Sequence, residues 1–133
     1  MSQENVELAR RYFEGLNAEG PHGARHMRHP EIELLDPPNF PDAGRYVGEA
    51  AVWERVEGFV EIGWDGRFRV EEYLDAGEEV VVVWRAMGRS AHGGGVPLDM
   101  TLVHVLLFEG GKIGRIRSYV SRAEALEAAG LRE

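Results

Sequence analysis

Between Arg67 and Val120 the chain runs through four stretches rich in β-branched and aromatic residues, FRVEEYLDAG, EEVVVVWRAMGRS, VPLDMTLVHVLLFEG and KIGRIRSYV, separated by glycine-containing turns. Four such runs so close together predict four neighbouring strands in one antiparallel sheet. The turn FEGGKI sets Gly110 and Gly111 between two apolar runs, a two-residue hairpin signal because glycine tolerates positive φ. An unbroken ladder from that turn would pair Phe108 with Ile113 and His104 with Arg117.

The chain before this block has a different period. Val6, Leu8, Ala9, Tyr12, Phe13 and Leu16 recur every three or four residues, predicting an amphipathic helix from an N-cap at Ser2 to about Asn17, ahead of Gly20 and Pro21. PHGARHMRHP reads as a short second helix and Glu31 to Leu35 as a short strand. Pro37, Pro38 and Pro41 then impose a loop of the kind that forms lids and rims. After Gly48, the spacing of Val52, Val56, Phe59 and Val60 predicts a helix of about four turns ending near Gly63. Ser121 to Glu124 fits the S-x-x-E capping box before a last helix, AEALEAAG, that stops at Gly130.

Helices first and an antiparallel sheet afterwards make an α+β fold in a single domain over residues 1–133. VVVVW and TLVHVLLF are apolar on both faces. Helices on one side of the sheet would leave the other side wet, so a homodimer through the sheet is expected. Lys plus Arg number 15 against 23 Asp plus Glu, a net charge of −8, which lacks the basic footprint of a nucleic-acid or anionic-membrane partner. There is no cysteine, which excludes disulfides, thiolate nucleophiles and cysteine-based zinc sites. With no membrane-length apolar run and no signal peptide at MSQENVELARRYF, the reading is a cytoplasmic protein. Phosphate-cradling and nucleophile-elbow motifs are absent, and no cofactor is expected.

The opening MSQENVELARRYFEGLNAEG, the segment HPEIELLDPP, the run RYVGEAAVWE and the ending FEGGKIGRIRSYVSRAEALEAAGL together resemble the SnoaL-like branch of the nuclear transport factor 2 superfamily, which includes polyketide cyclases and ketosteroid isomerases. The resemblance implies a cone: a curved antiparallel sheet wrapped around the N-terminal helices, with a short C-terminal helix and a pocket at the open end. It also implies a small hydrophobic molecule as partner, and either acid/base isomerisation or cyclisation of an enolisable ketone or non-catalytic ligand binding in a dimeric module.

Three residues carry the catalytic expectation. Tyr12 in RRYFEGLNA lies where the isomerase's oxyanion-stabilising tyrosine falls; a phenol can support an enolate in an apolar site, and it can equally be a rung of the buried helix stripe. Asp36 in LLDPP matches the general-base position, although aspartate before proline is also good turn chemistry. His104 shares a strand face with Leu102, Leu106 and Phe108 and stands where the isomerase has a protonated aspartic acid, which makes it a different catalyst or a core histidine. Trp53 and Phe59 are read as pocket wall. Arg85, Arg117 and Tyr119 are read as possible ligand contacts, with a structural ion pair the other fate of each arginine. Ser121 replaces the aspartate common in similar sequences. His22, His26 and His29 would line one side of a helix, but Gly23, Pro30 and the flanking Arg25 and Arg28 argue against a metal.

Overall fold

The computed structural model describes residues 2–19, 24–40, 43–61, 68–89 and 97–131. Helix α1, Ser2–Glu19, is followed by a single 3-10 turn, Arg25–Met27, and by strands β1, Arg28–Leu35, and β2, Arg45–Val47. Helix α2, Glu49–Glu61, precedes strands β3, Phe68–Ala76, β4, Glu79–Arg89, β5, Pro97–Glu109, and β6, Lys112–Tyr119; helix α3, Arg122–Ala128, completes the fold. The six strands form one curved, unclosed sheet in the order β2-β1-β6-β5-β4-β3. β3 to β6 form an antiparallel meander, and β1 joins β6 in parallel.

The concave side holds the larger core. Ala9, Tyr12 and Phe13 of α1 and Val52 of α2 pack with Ile32 and Leu34 of β1, Val80 and Val82 of β4, Leu106 and Phe108 of β5 and Ile113 and Ile116 of β6. β1, β4 and β5 contribute alternate residues to this face, as a pleated backbone requires. The intervening residues Val81, Val83, Val103 and Val105 point to the convex side, where Ala125 and Leu126 of α3 bury them. The apolar second face that motivated the dimer is thus covered within the chain. Val47 and Met100 are the large apolar side chains left exposed among the described residues.

α3 is clipped on by local chemistry. The Ser121 hydroxyl accepts from the Glu124 amide at 3.3 Å. Gly130 adopts φ 76°, so that the Leu131 amide reaches the Leu126 carbonyl at 2.8 Å and the helix closes in a Schellman motif. Arg122 forks onto Glu72, and Arg117 donates to the Ala128 carbonyl at 3.2 Å.

Three local expectations change. His26 and His29 do not share a helix, because Pro30 lies within β1 and only the three-residue 3-10 turn precedes that strand; His22 lies outside the described residues. The proline loop contains a strand, β2, paired with β1. The β5–β6 hairpin turns at Gly110 and Gly111, both at positive φ, and pairs Phe108 with Ile113 as expected, but the ladder then shifts. Leu107 faces Arg115, leaving Gly114 as the extra residue of a bulge, so His104 faces Ser118 rather than Arg117. A shift of one residue sends every later side chain to the opposite face.

Candidate functional site

Three polar groupings hang from this frame. The first is centred on Tyr12, which α1 turns inward and which is 3% exposed. Arg28, the first residue of β1 and equally buried, donates from Nε to the Tyr12 hydroxyl at 3.0 Å and from Nη2 at 2.9 Å. Its guanidinium also lies 5.5 Å from the Tyr12 ring centroid and 5.7 Å from that of Trp53 on α2. A planar guanidinium that forks onto a phenol oxygen and lies close to the Trp53 ring is held in orientation as well as in position.

The second grouping is His104. Its ring stands edge-on to Trp84 at 5.4 Å between centroids and tilted to Phe13 at 6.2 Å; Phe13 in turn contacts the ring of its chain neighbour Tyr12. Burial among these rings pushes the imidazole pKa down from 6.5 to about 4, so it is neutral at physiological pH. The residue is nevertheless half-buried rather than sealed off, and among the described residues no group hydrogen-bonds to it. Phe13 also lines a recess of about 150 Å³ with Glu14, Asn17, Val70 and Tyr73.

The third grouping gathers around Asp36. This side chain, just past the end of β1, accepts from Arg55 Nε at 3.2 Å and Nη2 at 3.3 Å, from the Gly44 amide at 3.2 Å and from the Tyr46 hydroxyl at 3.5 Å. The Asp36 amide also donates to the Gly44 carbonyl at 3.0 Å. The carboxylate therefore ties β1, β2 and α2 together, and its oxygens are engaged by a cation and two further donors. Such an arrangement of charge-assisted and neutral hydrogen bonds ties the carboxylate to structural partners. Beside it, Tyr46, Ala51, Glu54 and Arg55 line a surface recess of about 310 Å³.

Tyr12, Trp53 and His104 are thus linked through Arg28 and Phe13, whereas Asp36 is buried in a separate ion pair with Arg55. Arg85, Arg117 and Tyr119 do not join them. Arg117 and Tyr119 pair with Val105 and Val103 on the convex face, put there by the Gly114 bulge. Arg117 shares Glu79 with Arg115, and Arg85 forks onto Asp99 near the surface. The side chain of Phe59 lies outside the described residues. Ser121 acts as the cap of α3. No group of three or more metal-ligating side chains occurs among the described residues, and no helix there is long and apolar enough to cross a membrane.

Arg28 and Arg55 are the residues that sequence reasoning missed. From the sequence, Arg28 is read only as one of the cations that argue against a metal at His22, His26 and His29. Pro30 so near carries the missed signal, since it favours an extended backbone just before it. For Arg55 the signal lies in Asp36 itself, because a carboxylate at the buried end of a strand requires a cation.

The SnoaL-like domain family matches residues 9–116, while no curated protein matches the sequence. Among solved structures, an NTF2-like protein from Burkholderia xenovorans LB400 is 25% identical, with a TM-score of 0.67 over 97% of each chain. TerC, co-crystallized with polyporic acid, is 20% identical with a TM-score of 0.70, over 96% of this chain and 98% of that one. A protein with a ketosteroid isomerase-like fold from Catenulispora acidiphila DSM 44928, solved in complex with trimethylamine, is 14% identical with a TM-score of 0.71, over 95% and 94%. With its cone of six strands and a family match running from α1 to β6, the chain belongs to the SnoaL-like domain family.

Proposed function

We propose that this protein takes a small, largely apolar ketone into the cone and catalyses cofactor-independent proton transfer next to its carbonyl, as an isomerase or cyclase step requires. In this reading His104 accepts the proton from the α-carbon, the Tyr12 hydroxyl stabilises the oxygen of the resulting enolate, and His104 returns the proton to the same or a conjugated carbon. The observation that carries the reading is the neutral imidazole of His104, set among aromatic rings with no hydrogen-bonding partner among the described residues. Its pKa of about 4 gives it the basicity of an ordinary carboxylate, the class of base that serves for enolisation in a dry site. The role first expected of Asp36 passes to His104, because Asp36 is committed to Arg55 and Gly44.

The test is exchange of the α-protons of 2-acetonaphthone for deuterium, followed by NMR at pH 7. The wild type should accelerate exchange, and His104→Leu should reduce the rate to the uncatalysed level while the variant remains folded. A rate unaffected by that substitution would remove the proposal. The commitment of Asp36 also favours a second reading, ligand binding without chemistry, whose outcome is a ketone that binds but does not exchange.

A further inference from the structure

Tyr12 and Arg28 meet in a way that reaches beyond proton transfer to ligand choice. A tyrosine hydroxyl ordinarily both donates and accepts. Here both acceptor positions are filled by one guanidinium, through Nε at 3.0 Å and Nη2 at 2.9 Å. What remains is the O–H proton, and among the described residues no acceptor takes it. The fork cannot easily rotate away, because Arg28 is buried and held against the Tyr12 and Trp53 rings. Hydrogen bonds in series polarise one another, so a phenol that accepts from a cation donates more strongly.

We infer that Arg28 is a positioning residue that makes Tyr12 an obligate hydrogen-bond donor, so that the site selects ligands presenting a carbonyl or oxyanion oxygen and rejects those presenting an ammonium group. The inference rests on the proposed reading that a ligand enters beside Tyr12. An acceptor oxygen meets the O–H and gains from the nearby positive charge; an ammonium has no lone pair to offer and is repelled by it. Lysine could supply the charge but not the two-point fork.

The test uses 2-acetonaphthone and 1-(2-naphthyl)ethylamine, which is protonated at pH 7, with affinities by titration and the bound carbonyl stretch by infrared spectroscopy. The wild type should bind the ketone at least about thirtyfold more tightly than the amine and lower its carbonyl frequency relative to an apolar solvent. Arg28→Met should weaken ketone binding about tenfold and return the band towards its apolar-solvent position. Tyr12→Phe should give the same band as Arg28→Met, and Arg28→Lys should fail to restore the wild-type band. Circular dichroism establishes that each variant is folded, and the ketone-to-amine ratio needs only the wild type. Equal affinities for the two probes, or a band unmoved by either Arg28 substitution, overturns the inference. An Arg28-dependent band without α-proton exchange overturns the proton-transfer reading and leaves this inference standing; a wild type that binds no ketone overturns both.

Discussion

Lowering the pH from 7 to 4 should charge His104 only at the expense of the fold. In the folded chain its pKa is about 4, against 6.5 for an exposed imidazole. Between those values the unfolded chain takes up a proton that the folded chain refuses. Stability from this residue is therefore fully present above pH 6.5 and is lost as the pH falls towards 4. The shift of about 2.5 units corresponds to a limiting contribution of about 3 kcal/mol. The partial exposure of the residue lets water relieve part of the buried charge, which brings the expected loss to about 2 kcal/mol. For a chain of this length that is a fall in Tm of about 7 °C. The assay is urea unfolding of the wild type and of His104→Leu at pH 7, 6, 5 and 4. Taking the difference between the two proteins cancels the other titrating groups, among them the carboxylates that arginines hold below their usual range, Glu33, Glu72 and Asp99. The difference should stay flat above pH 6.5 and then shift against the wild type as the pH falls. Parallel curves for the two proteins would refute the claim that the imidazole sits uncharged among Phe13 and Trp84.

Other substitutions separate the rim and the convex face from the interior. Asp36→Asn removes the charge that holds Arg55, Gly44 and Tyr46, and should cost about 2 to 3 kcal/mol in chemical denaturation; in folded protein, α-proton exchange should persist, since the proposed step rests on His104. Arg117→Met breaks the contacts to Glu79 and the Ala128 carbonyl, and should lower stability by about 1 to 2 kcal/mol while leaving ketone affinity unchanged by titration. Val105→Ala empties part of the α3 contact and should cost about 2 kcal/mol, with hydrogen exchange rising first in residues 122–131. Ser121→Ala should remove about 1 kcal/mol through the lost cap, measured by thermal unfolding.

Much of this fold is legible from periodicity because the signal is repeated. The α1 stripe of Val6, Ala9, Tyr12, Phe13 and Leu16, the valine alternation in β4 and the Gly110-Gly111 turn each use several residues to say one thing. The cap at Ser121 is legible for a similar reason, since the S-x-x-E signal uses two residues to mark one helix start. β2 was hidden because Arg45, Tyr46 and Val47 lie in a proline-bounded loop and gain strand geometry only by pairing with β1. That pairing is a tertiary contact, and three residues carry no usable period of their own.

The site separates along the same line, between what one residue can say and what needs two. Tyr12 and His104 could be placed in the interior from their own strand or helix, because each shares a face with large apolar neighbours. Arg117 and Tyr119 could not, because their face depends on Gly114, one glycine in a strand that reads as continuous until its partner is known. Built without the bulge, β6 would bring a guanidinium opposite His104 into the aromatic cluster, where a nearby positive charge would disfavour protonation further and offer an anion site. With the bulge, the same guanidinium serves Glu79 and the end of α3, and the neutral Ser118 stands opposite His104. The interior cation then comes from Arg28, which donates to the Tyr12 hydroxyl. A single extra residue in one hairpin thus decides whether a guanidinium or a neutral serine stands opposite His104, and under the proposed reading the neutral neighbour is what lets an uncharged ketone compete with water there.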